Sequence, residues 1–145
     1  MIRSYSIEDK AKVLGLLRSN TPEYFDPSEE VDFEYYLDHE VEDYFVFEDD
    51  GEIIGAGGIN YFPEERLARI SWDMIHPLHH GKGIGKTLTQ HRIGLLSRKD
   101  DVDAVVVRTS QLVHKFYEKA GFQLEKVVKD FWAKDYDLYQ MKMNI

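Results

Sequence analysis

Apolar and polar positions divide the chain into short periodic segments. Ile2 to Ser4 reads as an opening strand, and Ser6 with Asp9 resembles a capping pair ahead of a helix with apolar positions Ile7, Val13, Leu14 and Leu17. Thr21-Pro22 and Asp26-Pro27-Ser28 then interrupt the chain. A second helix is predicted from Glu29 to His39, burying Val31, Tyr35 and Leu37. Tyr44 to Glu48 and Glu52 to Tyr61 alternate as strands around the hairpin signal Asp49-Asp50-Gly51. Ala68 to Ile75 is a further long strand, and Ile84, Leu88, Leu95 and Leu96 share one face of the helix that follows. After a strand from Val102 to Val107, the stripe Leu112, Val113, Phe116, Tyr117 and Ala120 marks a short helix, ended by Gly121. Strands from about Gln123 to Trp132 and Tyr136 to Met143 complete the pattern. The helix between the fourth and fifth strands makes their pairing parallel.

Composition narrows the classes. A chain of 145 residues, 43% hydrophobic, fits one domain spanning 1-145. With no cysteine there is no disulfide framework, no thiolate zinc site and no acyl-cysteine catalysis. The opening MIRSYSIEDKAK lacks a signal-peptide core and no apolar run approaches a membrane span, so a cytoplasmic protein is expected. Between Ser19 and Glu65 there are 16 acidic residues and no Lys or Arg, while the rest of the chain sets 18 basic residues against 11 acidic ones. The basic part suits an anionic ligand near Lys82, Lys86, Arg92 and Lys115, and the acidic part suits a cationic one or is a solvated surface. The net charge of −9 argues against nucleic acid as a partner.

The chemistry concentrates between His76 and Leu88, where Gly81, Gly83 and Gly85 sit at alternate positions between a strand and a helix. Glycines permit positive φ and close ligand approach, and the unpaired amides that open the next helix favour an anion. A P-loop would need glycine at position 80, which is His80, and the dinucleotide fingerprint would need it at Lys86 or Leu88. Adjacent His79 and His80 cannot easily converge with His76 on one ion, so no metal site is expected.

The string Ile75-His76-Pro77-Leu78-His79-His80-Gly81-Lys82-Gly83-Ile84-Gly85 instead resembles the acyl-coenzyme A loop of the GNAT acetyltransferase superfamily, usually V-x-P-x-x-R-G-x-G-[IL]-G. Phe116-Tyr117-Glu118-Lys119-Ala120-Gly121-Phe122 matches the family's F-Y-x-x-x-G-F at the expected distance downstream. The resemblance implies an α/β fold: a single-domain GNAT fold with a mixed six- or seven-stranded sheet, about four helices, and central parallel strands that splay apart around the pantetheine arm. It implies acetyl-CoA as co-substrate, with main-chain contacts from Met74, Ile75 and His76. The loop His80, Gly81, Lys82, Gly83, Ile84, Gly85 and Lys86 would hold the phosphates, with Ser110 and Phe116 along the arm. Tyr117 matches the family's general acid, and a phenol with pKa of about 10 can protonate a thiolate at neutral pH. In the family, the face of the fourth strand bearing Arg69, Ser71, Asp73 and Ile75 tends to carry the acid/base group, and Asp73 is the only carboxylate there. Asp73 could take the amine proton, hold a cationic acceptor, or serve a structural role.

Two positions depart from the family pattern. His80 replaces the usual Arg or Gln, which leaves phosphate contact to backbone amides and a weaker side chain. Ser110 stands where many members have Asn, able to bond pantetheine or cap the helix. The implied activity is direct N-acetylation of a primary amine on a small molecule or peptide. A non-catalytic acyl-CoA-binding domain is the alternative, and the sequence leaves monomer or homodimer open. Tyr24, Phe25, Phe33, Tyr36 and Tyr44 could line an amine pocket or pack the core.

Overall fold

The computed structural model describes all residues 1–145. Seven strands form one sheet in the order β1-β2-β3-β4-β5-β7-β6, where β1 is Ile2–Ser4, β2 Asp43–Asp49, β3 Glu52–Phe62, β4 Leu67–Ile75, β5 Ala104–Thr109, β6 Gln123–Ala133 and β7 Tyr136–Asn144. All neighbours run antiparallel except β4 and β5. The four helices are α1 (Lys10–Ser19), α2 (Glu29–Tyr35), α3 (Ile84–Ser97) and α4 (His114–Lys119). No helix is long and apolar enough to cross a membrane.

Two clusters of buried side chains flank the sheet. Val13, Leu16, Leu17, Phe33, Tyr36 and Leu37 cover one face with Val46, Ala56 and Met74. Ile84, Leu88, Leu96, Tyr117 and Phe122 cover the other with Ile59, Ile70, Val105, Val107 and Met141. Ser6 donates its amide to Asp9 at 2.9 Å, as the capping pair predicts, but Ile7 lies in a 3-10 turn before α1 and is exposed. In the second helix Val31 and Tyr35 are exposed, at 75% and 57%, and Glu29, Phe33, Tyr36 and Leu37 are buried instead. Those four recur at i, i+4, i+7 and i+8, the true inward stripe. The helix loosens into a π turn at Tyr36–Glu40, and Tyr35 packs outside against the tilted ring of His39.

β4 and β5 pair only from Leu67–Ala104 to Ile70–Val107. Beyond that, β4 follows β3 while β5 follows β7, so the two separate toward the loop end. A bulge accompanies the separation. Gly58 faces Ser71 and Ala56 faces Met74, so Gly57 opposes both Trp72 and Asp73. Trp72 takes a positive φ of 51°, costly for a bulky side chain, and is clamped by Phe33 at 4.9 Å and by the Tyr44 hydroxyl on its carbonyl. The extra residue reverses the alternation. Ile70 belongs to the α3 side and Met74 to the α1–α2 side, so the predicted common face for Arg69, Ser71, Asp73 and Ile75 does not form. Asp73 points with Ile75 toward α3, whereas Arg69 and Ser71 point the other way.

Candidate active site

A cleft of about 960 Å³ runs along the gap between β4 and β5, within the range that suits a cofactor-sized ligand. At its centre stand Asp73, Arg92 and Tyr117. Arg92 follows Ile84 and Leu88 and precedes Leu96 on the inward stripe of α3, so the helix carries it into the core, where it is 1% exposed. Its guanidinium grips Asp73 with two bonds of 2.5 and 2.9 Å and donates to the carbonyls of Gly58 and Leu88, both at 3.1 Å. Burial opposes the Arg92 charge, but Asp73 more than offsets this and holds its pKa above the ordinary value. Gly57 makes the pairing possible, since a Cβ there would lie 2.5 Å from the Asp73 carboxylate.

The Tyr117 hydroxyl donates to Asp73 Oδ2 at 2.5 Å. Burial, then the Asp73 charge, pushes its pKa well above that of a free phenol, so Tyr117 stays protonated. Both predicted catalytic residues therefore meet at one hydrogen bond. The sequence reading placed Arg92 beside the phosphates; the structure buries it against Asp73 instead.

Among the predicted cofactor residues, Met74, Ile75, His80, Gly81, Gly83, Ile84, Gly85, Lys86, Ser110 and Phe116 line the cleft, and His76 and Lys82 do not. The His76 amide donates to Ile54 of β3 at 2.8 Å. Ladder alternation turns Met74 main chain toward β3 as well, leaving Asp73 and Ile75 main-chain groups toward the gap. The Met74 main chain and the His76 amide are therefore engaged with β3 and do not face the gap. Lys82 turns its ammonium to His79.

His80 Nε2 lies 2.8 Å from the Ile75 carbonyl, and its ring meets the edge of Tyr24, so this side chain ties the loop to β4 and the α1–α2 segment. Asn20 makes the same connection from the end of α1, donating to the Leu16 and Ile75 carbonyls at 2.9 and 3.0 Å. The rest of the loop presents backbone amides. Gly81 and Gly83 take φ of 79° and 83°, and the amides of Ile84, Gly85 and Lys86 open α3 ahead of its first internal bond, Thr87 to Gly83. Gly85 serves differently from its neighbours. It is helical, and its missing Cβ admits Phe116, which would stand 3.2 Å away.

Ser110 is buried and accepts the Leu112 amide at 3.2 Å, which closes the turn ahead of α4 and does not cap the helix, whose N-cap is Val113. Of the aromatic residues, Tyr24, Phe25 and Tyr36 line the cleft, while Phe33 and Tyr44 pack the core. The Tyr36 hydroxyl is buried without a protein partner, and burial raises its pKa. Asn20 and Arg92 are functional candidates that the sequence reading does not assign to these places.

The fold agrees with comparison to known proteins. The Acetyltransferase (GNAT) family model matches residues 12–122, and the chain belongs to that family. An amino-acid acetyltransferase of Mannheimia succiniciproducens is 30% identical over 91 residues, covering 63% of this chain and 20% of that protein. The chain therefore spans about a fifth of the length of such curated relatives. The ribosomal-protein-S18-alanine N-acetyltransferase of Escherichia coli superposes with a TM-score of 0.83 at 16% identity, over 100% of this chain and 93% of that one. An aminoglycoside 6'-N-acetyltransferase solved with coenzyme A gives 0.77 at 16% identity, over 99% and 96%. At these identities the likeness establishes the fold.

Proposed function

We propose that the protein is a cytoplasmic N-acetyltransferase that uses acetyl-CoA as co-substrate and acetylates a primary amine directly. The observation that carries this reading is the continuous cleft, which joins a glycine loop of free helix-opening amides to the Tyr117–Asp73 pair through the gap between β4 and β5. The residues fit the co-substrate. Free amides at Ile84, Gly85 and Lys86 with the exposed Lys86 and Lys115 suit a pyrophosphate, and β4 main chain facing the gap, apart from the Ile75 carbonyl already held by His80 and Asn20, suits the amides of a pantetheine arm. The amino acid named for the Mannheimia relative and the protein N-terminus named for the E. coli structure both fall in the amine class.

Acetyl-CoA supplies an activated thioester carbonyl for attack. Tyr117 keeps its proton at neutral pH and supplies it to the departing thiolate, a contribution of about 10²- to 10⁴-fold for a placed acid. Asp73 acts as the positioning residue of Tyr117, since both of its oxygens are already held, by Arg92 and by the phenol. The pH profile separates this role from a general base. Asp73→Asn lowers kcat and leaves the acidic limb in place, set by the amine; loss of that limb would make Asp73 the base.

The test is release of free thiol from acetyl-CoA over an amine panel, alongside thermal unfolding with acetyl-CoA, CoA, or ATP with Mg²⁺. Tyr117→Phe is expected to lower kcat by about 100-fold or more while the CoA-induced rise in midpoint persists. A rise with ATP alone, or none with either CoA compound, sinks the reading. Binding of CoA with no turnover of any amine supports the alternative of a non-catalytic binding domain.

A further inference from the structure

Two arginines in the cleft lack the partner that the protein gives to others. Arg3, Arg18, Arg66 and Arg92 are each matched to a carboxylate. Arg69 on β4 and Arg108 on β5 line the cleft and form no ion pair. Ala68, Ile70, Val105 and Val107 face α3, so strand alternation turns Arg69 and Arg108 to the opposite side, that of α1 and α2. Arg69 is level with Val106, two residues before Arg108, which places both at the point where β4 and β5 part.

Each guanidinium is held by stacking alone. Arg69 lies 4.7 Å from the Phe62 ring, and Arg108 lies 4.9 Å from Phe131 and 5.7 Å from Trp132. Trp132 is itself fixed by its indole N–H on the Thr109 carbonyl, 3.1 Å away. Stacking uses the flat faces of a guanidinium and leaves its in-plane N–H fork for a planar anion. Arg108 Nε is buried and finds no acceptor in the protein. Burial and then the nearby Arg108 charge lower the pKa of Arg69, as two like charges facing each other must. The cleft's carboxylates do not answer them. Of the four that line it, Asp73 is paired with Arg92, Glu42 is spent on Asn60 and the Tyr61 amide, Glu29 accepts the Asp26 amide, and the exposed Glu40 forms no ion pair with either arginine.

We propose that Arg69 and Arg108 anchor a carboxylate on the amine acceptor, so that the acceptor is an amino acid and not a polyamine. This rests on the acetyl-transfer reading and replaces the cationic acceptor suggested by the charge distribution. Glu29, Glu40 and Glu42 of the acidic run line the cleft, but the buried charged group left without a partner there is the Arg108 guanidinium nitrogen.

The experiment is calorimetric titration of the CoA-loaded protein with the standard amino acids, their carboxamides, spermidine and phosphoethanolamine, a readout that needs no turnover. At least one amino acid is expected to bind about 10- to 100-fold more tightly than its carboxamide, the usual worth of a charged hydrogen-bonded contact. Arg69→Gln and Arg108→Gln should each collapse that ratio toward one, and Arg108→Lys should keep part of it. Absence of amino-acid binding up to about 10 mM overturns the proposal. So does equal binding of the carboxamide, tighter binding of spermidine or phosphoethanolamine, or a ratio that survives in variants with the wild-type melting midpoint. Thiol release judges the other reading separately. An amino acid held through the arginines that releases no thiol sinks acetyl transfer and leaves the anchor standing.

Discussion

Removing both partners of the Arg92–Asp73 pair should cost no more than removing one of them. Arg92→Met takes away four hydrogen bonds, two of them to a carboxylate. The Asp73 side chain is 21% exposed, so water recovers part of the loss, and the expected cost is about 3 kcal/mol, the low end for a broken buried pair. Asp73→Asn leaves a guanidinium that is only 1% exposed facing a neutral amide, and about 4 kcal/mol is expected. The double variant strands no charge and keeps similar volumes, so its cost should be near 3 kcal/mol, giving a coupling of about 4 kcal/mol. Each single change would lower the melting midpoint by about 6–16 °C in a chain of this length. Urea unfolding of the four proteins at pH 7 without CoA reads these values directly. A double variant whose cost equals the sum of the singles would refute the idea that the two charges stabilise one another.

Two smaller perturbations probe neighbouring features. Burial pushes the Glu29 carboxyl up to about 7 from an ordinary 4.5, so the folded protein holds a proton that the unfolded chain releases between those values. This contribution to stability is complete below about pH 4.5 and declines as pH rises through 7. Glu29→Gln should melt with the wild type in acid and above it at pH 8; a gap that does not change with pH would exclude the titration. Gly57→Ala would place its Cβ 2.5 Å from Asp73 and 2.7 Å from Arg92 and should destabilise by about 1–3 kcal/mol in urea, whereas exposed Gly15→Ala, with nothing within 4 Å, should gain about 0.5–1 kcal/mol. Equal effects at the two glycines would mean that the approach of α3 to β3 does not depend on Gly57.

Much of this architecture is legible because its periodicities are undisturbed. The hairpin at Asp50-Gly51, the strand into the glycine loop, and the paired motifs around Gly83 and Tyr117 all stand where local patterning puts them. The errors cluster where a tertiary contact breaks the period. The Trp72 bulge cannot be read from alternation, because a positive φ on tryptophan exists only under the clamp of Phe33 and Tyr44. For that reason simple alternation groups Asp73 with Arg69 and Ser71, whereas the bulge turns it to the opposite side. Arg92 carries a legible signal: an arginine eight residues after Ile84 on the apolar stripe of α3 is turned into the core, and a buried cation requires a carboxylate. His80 shows the opposite difficulty, since its bond to the Ile75 carbonyl depends on a loop path that no spacing predicts.

The bulge also makes one strand answer to two masters. Upstream of Trp72, Arg69 and Ser71 address the helical cover formed by α1 and α2; downstream, Asp73 and Ile75 address α3 and the glycine loop. Because a single inserted residue separates these sets, selection can alter the upstream side chains without rephasing those downstream. Descendants of such a chain can change what they modify while keeping the machinery that modifies it, whereas deletion of one residue at the bulge would exchange the two sets and forfeit both.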